Sequence, residues 1–119
     1  MDIQIKINIV NKNGESYMGK GVIRLLECIR ESQSINQAAK KMDMSYMKAL
    51  KLLNKLEENL DQKILTRTRG GYKRGGAHIT PFGNKYIAEY IKLEHRIFQH
   101  ANAEFSIFYQ HVKRTSGNE

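Results

Sequence analysis

Apolar and polar side chains alternate at the start of the chain, where Ile3, Ile5, Ile7 and Ile9 are separated by Gln4, Lys6 and Asn8. A period of two is that of a strand with one buried face. "NKNG" then supplies turn residues and "ESYMG" a short returning strand, so the pattern predicts an N-terminal β-hairpin. From Lys20 the period becomes helical, with Val22, Leu25, Leu26 and Ile29 on one face and an end near residues 31–33. Ser34 is placed to cap a second helix, with Gln37 three residues on as the reciprocal partner of a capping box. Its apolar face is Ile35, Ala38, Ala39 and Met42. Asp43 falls where the chain must turn, and Asp tolerates left-handed backbone geometry. Ser45 caps a third helix, whose buried stripe reads as Tyr46, Ala49, Leu50, Leu53, Leu56 and Leu60.

Residues 63–80, "KILTRTRGGYKRGGAHIT", have β-like ends around a glycine-rich middle, the pattern of a second hairpin. Thr80 and Pro81 then supply an N-cap and a first-turn proline. A last helix over residues 81–112 would be about 48 Å long at about 1.5 Å per residue, more than one small body can cover. The predicted fold is mainly α with a small β component. Residues 1–80 form a winged helix-turn-helix with an N-terminal β-hairpin, residues 81–113 a long dimerisation helix, and residues 114–119 a flexible tail. On the long helix Tyr86, Ile87, Tyr90, Leu93, Ile97, Phe98, Ala101, Phe105, Phe108 and Val112 supply apolar surface for a second copy.

Charge sharpens this reading. The 119 residues carry 20 Lys and Arg against 12 Asp and Glu, a formal net charge of +8, which favours an anionic partner, nucleic acid first. Cys28 is the single cysteine and lies in an apolar helical pattern, so a disulfide framework is excluded and a reducing cytoplasm is the simplest compartment. The N-terminus lacks the continuous apolar run of a signal peptide, and no stretch has the ~20 apolar residues of a membrane span. His95 and His100 are five apart, about 140° around a helix, and with His78 and His111 make no metal set. No nucleophile has a base and an orienting partner at readable spacing, so neither enzyme chemistry nor a cofactor is expected.

Two short helices cross closely only if their contact residues are small, which gives Ala38 and Ala39 a physical role and props the third helix outward. Its outer face carries Met47, Lys48, Lys51, Asn54 and Lys55, with Ser45 and Tyr46 at the end that would enter a major groove first. Ser34 and Gln37 open the preceding helix on the same side. In the second hairpin Lys63, Arg67, Arg69, Lys73 and Arg74 are five positive charges with no acid between them. Gly70, Gly71, Gly75 and Gly76 remove side chains where backbone approaches phosphate. A solvated lysine face and a plain surface loop are the bland alternatives. "GGYKRGG" lacks the order of a nucleotide-binding P-loop.

At residues 19–90 the chain resembles the N-terminal winged helix-turn-helix domain of the molybdate-responsive regulator ModE family, a fold also similar to the DNA-binding domain of LysR-type regulators. The resemblance rests on "SINQAAKKMDMSYMKA", "GGYKRGGAHITPFG" and "IVNKNGESYMGKG". It implies a prokaryotic transcriptional regulator that binds double-stranded DNA as a homodimer, with the Ser45 helix for recognition, the glycine-rich hairpin as wing and the last helix for dimerisation. Leu50 stands where the family often carries Trp, and Met47 where a basic residue is common, which implies altered packing and base readout. The family's molybdate-binding domains follow the long helix, so no tight molybdate binding is expected from these 119 residues alone. A low-specificity nucleoid-type DNA binder and an adaptor that docks a protein on the long helix remain open alternatives.

Overall fold

The computed structural model describes residues 2–68 and 76–117, with side chains through 114. Strands β1 (Ile9–Val10) and β2 (Ser16–Met18) form the first hairpin, antiparallel with Ile9 opposite Met18 and Val10 opposite Ser16. The strand expected from Ile3 onward is therefore only two residues long. Its partner runs out: Gly19 follows Met18 and helix α1 (Lys20–Ser32) begins at once, so nothing remains to pair with residues 3–7. Ile5 and Ile7 are half-buried and Ile3 is exposed.

Helix α1 buries Val22, Ile23, Leu25, Leu26 and Ile29, one residue more than the stripe read from the sequence. Gln33 ends it in left-handed geometry (φ 56°), its N–H donating to the Ile29 carbonyl at 2.7 Å. Cys28 is half-buried at the edge of the core. Helix α2 (Ile35–Lys41) starts at Ser34, whose Oγ accepts from the Gln37 amide at 3.1 Å. Only this half of the capping box is made, because the Ser34 amide already donates to Ser32 Oγ at 3.3 Å. Asp43 turns the chain with φ 56°, and the Met44 amide closes the turn on the Ala39 carbonyl at 3.0 Å.

Helix α3 (Tyr46–Leu60) is capped by Ser45 Oγ, which accepts from the Lys48 amide at 3.1 Å. Its fully buried residues are Ala49, Leu53 and Leu56, with Leu50 and Leu60 partly buried against them. Tyr46 does not belong to that stripe: it is 42% exposed, at the first position of the helix. Ala38, Ala39 and Ala49 are all at most 1% exposed, so small side chains do set the contact between α2 and α3.

Strands β3 (Leu65–Arg67) and β4 (Ala77–Ile79) make the second hairpin, with Leu65, Thr66 and Arg67 opposite Ile79, His78 and Ala77. Helix α4 (Pro81–Gly117) then runs for 37 residues, about 55 Å at about 1.5 Å per residue. Thr80 anchors its start, accepting from the Gly83 amide at 2.9 Å and donating to the Lys63 carbonyl at 2.8 Å. Gly83 is packed so tightly that a Cβ there would meet Ile79 Cγ2 at 2.7 Å and the Ile64 carbonyl oxygen at 2.8 Å.

Ile87 and Tyr90 are buried in the common core with Leu25, Leu53 and Leu56, and Tyr86 packs against it. This corrects two expectations. The compact body continues past residue 80 into the first turns of α4, and Tyr90 with Ile87 is used inside the chain rather than offered to a second copy. Helix α4 also continues to Gly117, through residues 114–117 that the sequence placed in a tail. The molecule measures 75 × 29 × 23 Å, a compact head from which α4 projects.

Candidate nucleic-acid interface

Helix α3 presents its first two turns to solvent. Met47 is 71% exposed, and Ser45, Tyr46, Lys48, Lys51 and Asn54 are exposed with it, while Lys55 is half-buried at the edge. No acid interrupts this surface before Glu57, and among the described residues Lys48, Lys51 and Lys55 form no ion pair. Gln37 is exposed at the first turn of α2. The caps use Ser34 and Ser45 as acceptors, which leaves each O–H free to donate to a phosphate oxygen.

The wing is fixed to the helices at two places. Leu65 and Ala77 are buried at its base. The Ala77 amide donates to the carbonyl of Gln33 at 3.0 Å, tying β4 to the α1–α2 turn. One oxygen of Glu57, Oε2, accepts from the amides of Ile64 at 2.8 Å and Leu65 at 3.1 Å, tying the start of the wing to α3. Glu57 was not read from the sequence, where it looks like one more charge on a solvated helix. Its partners lie seven and eight residues away across a turn, and only the proximity of α3 to unpaired amides could have signalled the role.

Arg67 is exposed at the outer end of β3. Gly76 differs from its expected role: it is half-buried, its amide donates to Thr68 Oγ1 at 2.8 Å and its carbonyl accepts from the Thr68 amide at 2.9 Å. Its backbone thus closes the wing ladder instead of standing open to phosphate. Arg69, Gly70, Gly71, Lys73, Arg74 and Gly75 lie outside the described residues.

Beyond Tyr90 the apolar stripe of α4 leaves the head. Ile97, Phe98, Ala101 and Phe105 are half-buried, whereas Leu93, Ile107, Phe108 and Val112 are exposed, Phe108 at 59%. Phe105 stacks on Phe108 and Tyr109 with centroids 6.3 and 6.1 Å apart. Tyr86 keeps a buried hydroxyl with no hydrogen-bond partner among the described residues. Burial, then the neighbouring Tyr17 and Tyr90, pushes that hydroxyl from 10.0 up to about 12. Burial and then Glu94 raise Tyr90 as well. Among the described residues no cluster of His, Cys, Asp or Glu could hold a metal, and no helix is long and apolar enough to cross a membrane.

Residues 22–84, which span α1 to the root of α4, match the family described as bacterial regulatory helix-turn-helix protein, lysR family. The chain belongs to this LysR family. Among its relatives, the molybdenum transport protein ModE of Azotobacter vinelandii is 36% identical over 72 residues, 60% of this chain and 27% of that protein. The transcriptional regulator ModE of Haemophilus influenzae is 35% identical over 79 residues, 66% of this chain and 31% of that protein. The LysR-family chain thus spans between a quarter and a third of these relatives. Among solved structures, the BenM DNA-binding domain on benA site 1 DNA matches with a TM-score of 0.52 at 26% identity, covering 72% of this chain and 91% of that one. The CbnR DNA-binding domain in complex with DNA matches with a TM-score of 0.54 at 19% identity, covering 70% and 93%. The second likeness establishes the winged helix-turn-helix fold alone.

Proposed function

We propose that this LysR-family chain is a transcriptional regulator that binds an operator in double-stranded DNA as a homodimer. The observation that carries the reading is the first half of α3, capped by Ser45, propped out by three alanines and presenting Tyr46, Met47, Lys48 and Lys51 without a competing acid. Side chains at the start of such a helix reach base edges in a major groove. Arg67 and the basic residues Arg69, Lys73 and Arg74 of the wing take phosphates, and Ser34 and Gln37 touch the backbone at the start of α2. The head, residues up to about 90, reads DNA, and the rest of α4 joins two copies. The regulatory names of the relatives and the match to a DNA-bound domain at 26% identity support this assignment.

Selection of bound fragments from random duplex DNA at moderate salt tests it. A recovered palindrome is the expected result, since a two-fold protein reads a two-fold site. Recovery of unselected sequence, with affinity falling steeply as salt rises, would instead identify a low-specificity nucleoid-type binder.

A further inference from the structure

Among the described residues, the large apolar side chain most open to solvent is Met47, at 71%. Phe108 follows at 59%, and the neighbouring Tyr46 stands at 42%. Met47 is the second residue of α3, in a turn held by Ser45 Oγ, which accepts from the Lys48 amide at 3.1 Å. A rigid element therefore sets its position. The core has no part in it: α3 turns Ala49, Leu53 and Leu56 inward, and Met47, about 200° round the helix from Ala49, faces away from them.

The surroundings of Met47 are cationic. Lys48 and Lys51 are exposed and Lys55 is half-buried on the same helix, and among the described residues none of the three is in an ion pair. The chain has no acidic residue between Asp43 and Glu57. A second copy placed on this spot would bring a chain of the same net charge, +8. The partner that fits offers an apolar group set among negative charges. A DNA major groove has that arrangement, with the C5-methyl group of thymine on its floor and phosphates along its walls.

Thymine is also the base that gains from such a contact. Met47 has neither N–H nor O–H to donate, and its thioether is a weak acceptor. Over guanine, adenine or cytosine it would cover a donor or acceptor without pairing it, which costs free energy. Over thymine it removes two apolar surfaces from water, and its unbranched chain adapts to the methyl group. Tyr46 is less restricted, because its ring carries a hydroxyl.

We propose that Met47 reads thymine by packing on its C5-methyl group, so that each half of the bound site carries a thymine in register with this side chain. The assignment rests on the DNA-binding reading above and adds to it the chemistry of one recognised base.

The site recovered by selection from random duplex DNA supplies the probe. Each of its thymines is replaced in turn by deoxyuridine, which lacks only the methyl group, and binding is followed by anisotropy of the labelled duplex. Replacement at one thymine in each half should weaken binding about fourfold, the worth of one buried methyl group, and the two together about fifteenfold. Met47→Gln, of similar length and on an exposed position, should keep the circular dichroism spectrum and melting temperature of the parent chain. It should bind the thymine site several-fold more weakly and no longer distinguish uracil from thymine at those positions. Lys51→Ala should weaken both duplexes in the same proportion.

Binding to a selected site that is indifferent to every uracil replacement would overturn the Met47 assignment and leave the regulator reading intact. So would a uracil effect that persists in Met47→Gln, or parent affinity of that variant for the thymine site, which would leave the side chain to a protein partner. A chain that binds no DNA at low salt, or that selects no sequence, would overturn the operator reading and the assignment with it.

Discussion

Glu57 shows how much of the wing's position depends on one side chain. Its carboxylate is the acceptor for two consecutive amides, and its side chain is only 16% exposed, so water replaces it poorly. Glu57→Ala should destabilise the fold by about 2 kcal/mol, and Glu57→Gln by less because an amide oxygen still accepts. Urea denaturation would measure both. Tyr86 gives the opposite case, since its buried hydroxyl finds no partner among the described residues. Tyr86→Phe should leave stability unchanged or raise it by up to about 1 kcal/mol. The pH dependence has a definite sign. With its hydroxyl raised from 10.0 to about 12, the folded state keeps a proton that the unfolded state loses, so stability is complete below pH 10 and declines as pH rises toward 12. Thermal melts across that window should fall less steeply for Tyr86→Phe than for the parent chain. Local rules made Ser34, Ser45, Asp43 and Thr80 legible in the sequence, because a cap or turn residue acts within three positions of itself. Glu57, the left-handed Gln33 and the inward-facing Tyr90 were not legible, since tertiary neighbours decide their roles.

At the scale of elements, the proposed function gives helix α3 and the wing separable duties. Changing Tyr46, Met47 or Lys51 to Ala should lose about 1–3 kcal/mol of preference for a selected site over random duplex, while general affinity falls less. Arg67→Ala should weaken binding to every sequence and flatten the salt dependence by nearly one unit, as expected for a lost phosphate contact. Titrations of both duplexes at several salt concentrations distinguish the two patterns, and equal losses for α3 and wing variants would exclude base readout by α3. The helices were readable because their periodicity extends over two turns or more. The N-terminal strand was not, even though its alternation is the clearest in the chain. A strand needs a partner as well as a pattern, and β2 ends after three residues.

For the whole molecule, the stripe that begins in the core at Ile87 and Tyr90 and emerges as Phe105, Phe108 and Val112 is the strongest argument for a second copy. Light scattering should give the mass of a dimer at micromolar concentration. Phe108→Glu together with Val112→Glu should give a monomer that binds a palindromic site more weakly, because one head then supplies what two supplied. The sequence announced this helix through its caps and its lack of breakers, but it did not show where the head stops. That boundary depends on Gly83, whose missing side chain lets α4 press against Ile64 and Ile79 before running outward.

Because α4 is one unbroken rod rooted in the head, it also fixes rotational phase. Each added residue turns everything beyond it by about 100° and advances it about 1.5 Å. One alanine inserted after Asn102 would leave both the head and the distal aromatic residues chemically intact, yet swing Phe105 and Phe108 out of line with Ile97 and Phe98. Seven inserted residues make nearly two full turns and restore the alignment, lengthening the rod by about 10 Å. The single insertion should therefore abolish pairing of two copies. The seven-residue insertion should retain it and alter the half-site spacing recovered from random DNA, because in the proposed dimer the length of this helix sets the separation of the two words of the operator.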